Sequence, residues 1–237
     1  MNASHPQLSP ELRERLTRVA VATLSAQLKK RGYNNASIDG VHPLVPGTSF
    51  VGIARTLRFV AHRPDLAEEK SKGYNLHKQL IDTVGEGEVI VMESRGYPFA
   101  GTLGDVLATR AAVRGAAGVV TDGAVRDSAE VAEILPVCAQ STHPAVNGRV
   151  HVPWELDNVI TCGGAAVRPG DVIVAGDDGV LAFPRELAEE LVEAAEKQEL
   201  KEEFVVEKVK EGHSLEGLFP MGDAWEADYA TWLASRS

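Results

Sequence analysis

Hydrophobic residues near the beginning of the chain recur at helical spacing. The apolar positions of this segment are Leu12, Leu16, Val19 and Leu28. A Ser-Pro-Glu sequence at 9–11 offers a capping hydroxyl followed by a proline at the first helical position, and Gly32 comes directly after three basic residues. The pattern predicts one amphipathic helix over about 9–32.

The following segment alternates between strand patterns and helix patterns. Strand patterns, which are rich in β-branched and aromatic residues, cover 50–60, 88–92 and 118–121. Helical spacing covers 75–84 and 106–114. Strands that alternate with helices are typical of βαβ units, so we expect an α/β fold with a mostly parallel sheet covered by helices.

The second half of the chain consists mainly of short strand patterns separated by glycine, proline and aspartate. These patterns cover 136–138, 147–152, 159–161, 171–175 and 179–183. We expect them to form a β-rich layer packed on the α/β layer. The prediction is therefore a single α/β domain over 1–237, with its core at about 45–185.

The end of the chain combines a charged helix with a hydrophobic tail. A Pro-Arg-Glu sequence at 184–186 begins a helix predicted to run to about Lys210, and Gly212 ends it. Such a helix can be solvated or can lie along a subunit boundary. The tail carries too many large apolar groups for a disordered end, at Leu218, Phe219, Trp225, Tyr229 and Trp232. We expect this C-terminal region, 185–237, to pack on its own domain or on a neighbouring subunit.

Composition and charge argue against several classes of function. The 237-residue chain has a formal net charge of −10, which disfavours a broad basic surface for nucleic acid or anionic membranes. Its two cysteines, Cys138 and Cys162, have neither zinc-ligand nor redox-motif spacing. The beginning of the chain has no apolar signal segment, and no apolar run is long enough to span a bilayer. We therefore expect a cytoplasmic protein with no nucleic-acid or membrane partner.

Two glycine-containing segments carry the residues best suited to chemistry. In the first, 101–107, a loop is predicted to turn into a helix, so Gly104 allows a ligand close to the backbone. The N–H groups that follow it are free to bind an anion such as a substrate carboxylate. Gly104 and Asp105 can equally be a simple turn followed by an acidic residue in the first helical turn.

The second segment, 118–130, places a strand end and a tight turn before Arg126 and Asp127. Ligands gather at the carboxyl ends of strands in α/β sheets, so both segments are expected to open at the same edge. Arg126 offers a planar cation for a carboxylate or oxyanion, and Asp127 offers oxygen ligands for Mg²⁺ or Mn²⁺. Alternatively, Asp127 and Glu130 form an acidic variant of a helix capping box.

With twenty positions between Asp105 and Arg126, these segments resemble the D-x20-R-D pattern of the RraA-like family. The resemblance extends over about 45–185 and is strongest in GTLGDVLATRAAVRGAAGVVTDGAVRD at 101–127. This family contains class II 4-hydroxy-4-methyl-2-oxoglutarate aldolases, which also cleave 4-carboxy-4-hydroxy-2-oxoadipate and decarboxylate oxaloacetate. It also contains regulators of ribonuclease E activity. The resemblance favours the functional interpretation of both segments.

The resemblance implies a role for each matching residue. The residues whose backbone would hold the substrate carboxylate are Gly104, Asp105, Val106 and Leu107. Arg126 would bind the 2-oxo group, Asp127 would hold the divalent cation, and Asp105 would act through a water on that cation. Glu130 matches a further acid found in members that keep the catalytic activity.

The resemblance also implies a fold and an assembly. The family fold is a swivelling β/β/α domain that forms trimers or pairs of trimers. Enzymes of the family complete their site with an acidic residue from the C-terminal region of a neighbouring subunit, but no motif fixes that acid among the glutamates of 185–211. We therefore expect a homotrimer or homohexamer that acts on a small 2-oxo acid.

The predicted activity is metal-assisted cleavage of a 4-hydroxy-2-oxo acid to pyruvate and a second oxo acid, with oxaloacetate decarboxylation as a side reaction. No lysine lies in either motif, which disfavours a Schiff-base mechanism. The alternatives are a non-catalytic regulator of ribonuclease E and a lyase or dehydratase acting on a sugar-derived 2-keto-3-deoxy acid. The seven histidines show no metal-ligand spacing and are expected at surface or loop positions.

Overall fold

The computed structural model describes residues 7–236, which form helices, strands and three short 3-10 turns. The α-helices are α1 (Pro10–Arg18), α2 (Val21–Lys30), α3 (Pro64–Lys70), α4 (Leu76–Thr83), α5 (Asp105–Val113), α6 (Ser128–Ile134), α7 (Ala188–Lys210) and α8 (Glu226–Ala234). The strands are β1 (His42–Pro43), β2 (Phe50–Ala61), β3 (Glu88–Glu93), β4 (Gly101–Leu103), β5 (Gly118–Val125), β6 (Val137–Thr142), β7 (His151–Leu156), β8 (Ile160–Cys162), β9 (Ala165–Val167), β10 (Val172–Gly176) and β11 (Gly179–Phe183). Residues 1–6 and Ser237, which belong to the predicted domain 1–237, lie outside the described residues.

Nine of these strands form one sheet in the order β1-β6-β5-β3-β2-β10-β11, with β4 beside β5 and β7 beside β2. The strands β2 to β6 pair in parallel, whereas β1, β7, β10 and β11 pair antiparallel with their neighbours. The end strands β1 and β11 approach one another, so the sheet is nearly closed into a barrel. The arrangement confirms the predicted α/β fold, and the strands of the second half lie at the sides of the parallel sheet or in the separate β8–β9 hairpin.

Both faces of the sheet are covered, as β2 illustrates. Val51 and Ile53 pack with α1, α2 and α7 on one face, while Phe50 and Ala54 pack with the β8–β9 hairpin on the other. Successive side chains of a strand point to opposite faces, so a strand buried on both sides needs an almost continuous apolar sequence. This requirement explains the hydrophobic run that predicts β2.

The N-terminal helical segment is two helices, so the prediction of a single helix over 9–32 is wrong. Val19 and Ala20 adopt extended backbone angles between α1 and α2. The break directs the apolar faces of both helices into the core that they share with α7. Glu199 of α7 accepts a hydrogen bond of 2.7 Å from the N–H of Ala20, which satisfies a donor exposed by the break.

One strand of the second half is displaced from its predicted position. Asn147–Arg149 form a 3-10 turn, and β7 begins only at His151. The side-chain amide of Asn147 lies 3.2 Å from Nδ1 of His77 on α4. This contact holds the turn against α4, so the strand predicted at 147–152 starts later and extends further.

The last long helix follows its prediction. A 3-10 turn at Arg185–Leu187 leads into α7, which ends at Lys210. Gly212 follows with a φ of 97°, in the left-handed region where glycine ends a helix without a steric penalty. No helix within residues 7–236 is long and apolar enough to cross a membrane.

The tail after α7 packs on its own chain. Trp225, Tyr229 and Trp232 surround Phe204 of α7, with ring centroids between 5.5 and 6.2 Å from that of Phe204. The Phe204 side chain is fully buried as a result. The prediction that the tail packs is confirmed, and the partner is the helix that precedes it.

Candidate active site

The strand β5 remains extended further than its sequence predicts. The Asp-Gly pair at 122–123 lies within the strand as an irregularity in its pairing with β6, so the predicted tight turn is wrong. The Asp122 carboxylate accepts hydrogen bonds from the backbone N–H groups of Ser94, Gly96 and Gly163. These bonds hold a turn-like sequence as a bulge, and burial raises the pKa of the Asp122 carboxyl group.

The extended course of β5 brings Arg126 and Asp127 against β4. The N–H of Arg126 donates to the carbonyl of Leu103 at 2.9 Å. A methyl group at Gly101 would lie 2.8 Å from Cβ of Arg126, and one at Gly104 would lie 2.7 Å from Nε of Arg126 and 3.0 Å from Oδ2 of Asp127. A side chain at either glycine would collide with Arg126, so both positions require glycine. The structure thus brings Gly104, Arg126 and Asp127 together as predicted.

The N-terminus of α5 opens at the same place. Gly104 is the capping residue and has no side chain to cap with, and the first intrahelical bond runs from Ala108 to Gly104. Within residues 7–236, no group accepts a hydrogen bond from the N–H of Asp105, Val106 or Leu107. These donors, together with the positive end of the helix dipole, can bind a carboxylate.

The side chains of the same three residues differ in their exposure. Val106 is 71% exposed, so its contribution to a binding site is made through its backbone. Leu107 is half-buried and packs against the core between α5 and the sheet. Asp105 is also half-buried, so its side chain remains partly accessible at the start of the helix.

Arg126 and Asp127 form an ion pair at the start of α6. Nε of Arg126 lies 3.2 Å from Oδ2 of Asp127, and about a third of each side chain remains exposed. Asp127 occupies the capping position of α6 with a φ of 51°, and its carboxylate accepts no capping hydrogen bond. Neither bond of a capping box forms between Asp127 and Glu130, so the capping alternative is not realised.

The donor atoms at this position are suited to a hard divalent cation. The carboxylate of Asp127 is free of helix capping, is accessible, and has Arg126 as its described partner. Carboxylate oxygens are the ligands that Mg²⁺ and Mn²⁺ prefer, and Mg²⁺ commonly takes one or two carboxylates and keeps several waters. Within residues 7–236 no three His, Cys, Asp or Glu side chains come together as a metal cage.

A chain of buried hydroxyl groups joins β4 to β5, and no local sequence motif marks it. Oγ1 of Thr102 lies 3.3 Å from Oγ1 of Thr121, which lies 3.1 Å from Oγ of Ser94. The Thr102 hydroxyl also lies 3.1 Å from the carbonyl of Ala124, to which it donates. These contacts fix β4 beside β5 and so hold Gly101 and Gly104 against Arg126. Strand alternation places Thr102 inward, and this is the only sequence signal for the chain of hydroxyl groups.

Two histidines are buried, which corrects the expectation of surface or loop positions. His77 on α4 and His151 on β7 both contact the ring of Phe59. Burial lowers the pKa of each to about 4, so both are neutral at pH 7. His77 lies three and four residues before the buried Leu80 and Ile81, a helical spacing that is the sequence signal for its burial.

A large part of the chain matches a known protein family. The family model described as RraA-like, Aldolase/RraA, matches residues 21–182, which is more than half of the chain. The chain belongs to the RraA-like family. A curated relative from Halalkalibacterium halodurans, named "Putative 4-hydroxy-4-methyl-2-oxoglutarate aldolase", is 32% identical over 169 residues, which cover 69% of this chain and 73% of that protein.

Two solved structures share the fold. An uncharacterized protein from Pseudomonas syringae pv. tomato aligns over 92% of this chain and 97% of its own with a TM-score of 0.78, and at 24% identity it supports the fold alone. Streptomyces coelicolor RraAS2, described as an unusual member of the RNase ES inhibitor RraA protein family, is 33% identical. It aligns over 84% of this chain and 97% of its own with a TM-score of 0.75. The predicted RraA-like fold is thus confirmed.

Proposed function

We propose that this RraA-like protein is a divalent-metal-dependent aldolase that cleaves a 4-hydroxy-2-oxo acid to pyruvate and a second oxo acid. The observation that carries the proposal is the convergence on Gly104 of three kinds of group. Free N–H groups begin at Asp105, and the Arg126 guanidinium and the Asp127 carboxylate both lie within contact distance of Gly104. An anion site, a fixed cation and a metal-ligating carboxylate are what a 2-oxo acid requires.

The residues of the chain divide the work between the two ends of the substrate. The N–H groups of Asp105, Val106 and Leu107 bind the C1 carboxylate, and Arg126 donates to the 2-oxo oxygen. Asp105 accepts the proton of the C4 hydroxyl through a water as the C3–C4 bond breaks. The electron pair of that bond forms the enolate of pyruvate, whose oxygen Arg126 stabilises, and the C4 carbonyl leaves in the second oxo acid. The proton taken from the C4 hydroxyl then returns through the water to C3, which completes pyruvate.

Asp127 is the residue that would hold the divalent cation. A bound Mg²⁺ or Mn²⁺ would act as a Lewis acid on the 2-oxo acid and stabilise negative charge on the enolate oxygen. Oxaloacetate decarboxylation leads to the same enolate, so we include it as a side activity. Because a single carboxylate is the only protein ligand that we assign, we propose weak metal binding that EDTA removes quickly and added metal restores.

The direct test is a pyruvate-release assay over a panel of 4-hydroxy-2-oxo acids with Mg²⁺, with Mn²⁺ and after exhaustive chelation. Arg126→Ala should lower kcat by about 10²–10³, more than it raises KM, because the lost donor acts mainly on the enolate. Arg126→Lys should recover part of this rate, since it keeps the charge without the planar fork. Arg63→Ala, which removes an exposed arginine paired with Asp65, is the matched control. Full turnover after chelation would exclude the metal role.

The similarity to Streptomyces coelicolor RraAS2 favours a second candidate, a regulator of ribonuclease E activity without catalysis of its own. The same set of variants separates the two functions. If the wild-type protein releases no pyruvate from any acid with any metal, yet binds ribonuclease E tightly, the regulator is correct. Pyruvate release that depends on Arg126 supports the aldolase, and a sugar-derived 2-keto-3-deoxy acid belongs in the panel as the third substrate class.

We also propose that the protein works as a homotrimer or homohexamer. Val106 at the start of α5 and Val113 at its end are more than 70% exposed, and Val106 lies beside the anion site. Apolar side chains so exposed next to a site are suited to contact with a second copy of the chain. No nucleic-acid or membrane partner is proposed, and the cytoplasm is the compartment in which we expect the protein to act.

A further inference from the structure

We infer that His143 is a specificity-determining residue that recognises a second carboxylate on the substrate, at the end remote from the C1 carboxylate. The inference rests on the proposed aldolase function and concerns the same site. It is carried by the position of His143 beside Arg126, by the hydrogen bond that fixes its tautomer, and by the apolar side chains around it.

His143 comes directly after β6, the strand that pairs with β5. The parallel pairing matches Val125 with Thr142, and the N–H of His143 donates to the carbonyl of Val125 at 2.9 Å. Arg126 therefore follows the last residue of β5, and His143 follows the last residue of β6. The two paired strands run roughly 5 Å apart. His143 lies on the side of Arg126 opposite to β4, the strand that leads into the anion site at the start of α5.

A local hydrogen bond fixes the proton of the His143 ring. The backbone N–H of Ala145 donates to Nδ1 of His143 at 3.0 Å. An N–H group can only donate, so Nδ1 must be the acceptor and the ring proton resides on Nε2. His143 is thereby prepared as a hydrogen-bond donor and not as a general base.

The Nε2 atom of His143 is available to a ligand. His143 is half-buried, and no partner for its Nε2 occurs within residues 7–236. The Nε2 atoms of His77 and His151 are buried and have no partner. The Nε2 atom of His143 also has no partner, but it is not buried and so reaches solvent. Of these three half-buried or buried imidazoles, His143 alone presents an accessible donor beside Arg126.

The surroundings of His143 fit the C4 end of a small dicarboxylic acid. The ring of Phe99 packs edge-to-face on His143 with centroids 6.4 Å apart, and Phe99 and Val146 are each about half exposed. Val146 forms an isolated β-bridge with Gly101, and Arg126 lies against the same glycine. Arg149 adds positive charge where it donates to the Phe99 carbonyl at 3.4 Å. An apolar wall, one N–H donor and nearby cations suit a carboxylate attached to a carbon-substituted C4.

The experiment compares two acids that differ in the distal carboxylate, 4-hydroxy-2-oxoglutarate and 4-hydroxy-2-oxopentanoate. His143→Asn keeps an acceptor for the Ala145 N–H but loses the donor at Nε2. We expect the ratio of kcat/KM for the dicarboxylic acid to that for the monocarboxylic acid to fall about tenfold, mainly through KM, since a hydrogen bond to a charged group is lost. His143→Gln, whose amide N–H reaches the position of Nε2, should retain more of the ratio.

His42→Asn, at an exposed position on β1, is the control and should leave the ratio unchanged. An unchanged ratio in His143→Asn, or an equal loss with both acids in both His143 variants, would overturn the assignment while the aldolase stands. If the wild-type protein cleaves neither acid, the proposed function fails first and the role of His143 fails with it.

Discussion

At Gly104, which directly follows β4, the backbone passes so close to Arg126 and Asp127 that the crowding comes from the protein itself. The sequence predicts a glycine that lets a ligand approach, because glycine before a helix is typical of such loops. It does not predict which groups crowd the glycine, since that depends on the pairing of β4 with β5. The absence of a side chain at Gly104 makes room for the two charged side chains as well as for a ligand.

Replacing Gly104 by alanine should therefore impair activity more than stability. The backbone φ of −139° suits any residue, so the fold is expected to survive with a small change in melting temperature. The added methyl group must displace the Arg126 guanidinium, and we expect kcat to fall at least tenfold in the pyruvate-release assay. Gly148→Ala is the matched control, because a methyl group there meets nothing within 4 Å. Equal effects of the two substitutions would contradict this account.

The position of His143 illustrates a limit of local sequence patterns at the residue scale. The D-x20-R-D pattern identifies Asp105, Arg126 and Asp127 because these residues lie in two recognisable segments. His143 lies in no motif, and it reaches the site only because the register of β5 and β6 places it beside Arg126. Register is set by long-range backbone pairing, which the spacing of residues along one strand does not specify.

At the scale of elements, the helices and strands with a strong period were predictable and their interruptions were not. The strand β2 and the helix α7 follow their patterns closely. The break between α1 and α2 escapes prediction because Glu199, which satisfies the Ala20 N–H, is 179 residues away in the sequence. The extension of β5 through its Asp-Gly pair depends in the same way on distant donors to Asp122.

The packing of the C-terminal tail gives a prediction at this scale. Phe204→Ala removes the ring on which Trp225, Tyr229 and Trp232 pack, at a cost of about 3 kcal/mol to that cluster. We expect α8 to detach, so that residues after Gly212 exchange amide hydrogens faster and chymotrypsin cleaves after the aromatic residues of the tail faster, while β2 to β6 stay protected. Val206→Ala, at a half-exposed position of α7, is the control. Loss of protection throughout the sheet would contradict an independent tail.

At the scale of the whole molecule, the two buried histidines make stability depend on pH. Their pKa is lowered to about 4 by burial, with Lys78 near His77 and Arg95 near His151 opposing protonation further. Above pH 6.5 both are neutral in the folded and unfolded chain, and their contribution to stability is fully present. As the pH falls toward 4 the unfolded chain binds protons first, so this contribution is lost, at about 3 kcal/mol for each histidine.

Urea unfolding between pH 7.5 and 4.5 measures this loss. The free energy of unfolding should fall less steeply with decreasing pH in His77→Gln and in His151→Gln than in the wild-type protein. His62→Gln, which changes an exposed histidine after β2, should follow the wild-type curve. The same slope in all four proteins would mean that the buried rings do not control the acid sensitivity.

The proposed assembly is also testable on the whole molecule. Sedimentation at micromolar concentration should give the mass of three or six 25.4 kDa chains. Val106→Glu on the exposed start of α5 should weaken the assembly, because it places a charge in an apolar contact, whereas Val206→Glu on α7 is the control. A compact monomer of the wild-type protein would contradict the proposal.

The left-handed backbone of Asp127 has a consequence for how this protein can evolve. An aspartate with φ of 51° gives up roughly 1 kcal/mol of stability that glycine would recover. Asp127→Gly should therefore melt at a higher temperature and, if the carboxylate holds the cation, catalyse nothing. A lineage released from selection for cleavage would drift readily toward such a residue, and a selection for heat resistance alone would discard the enzyme while improving the fold.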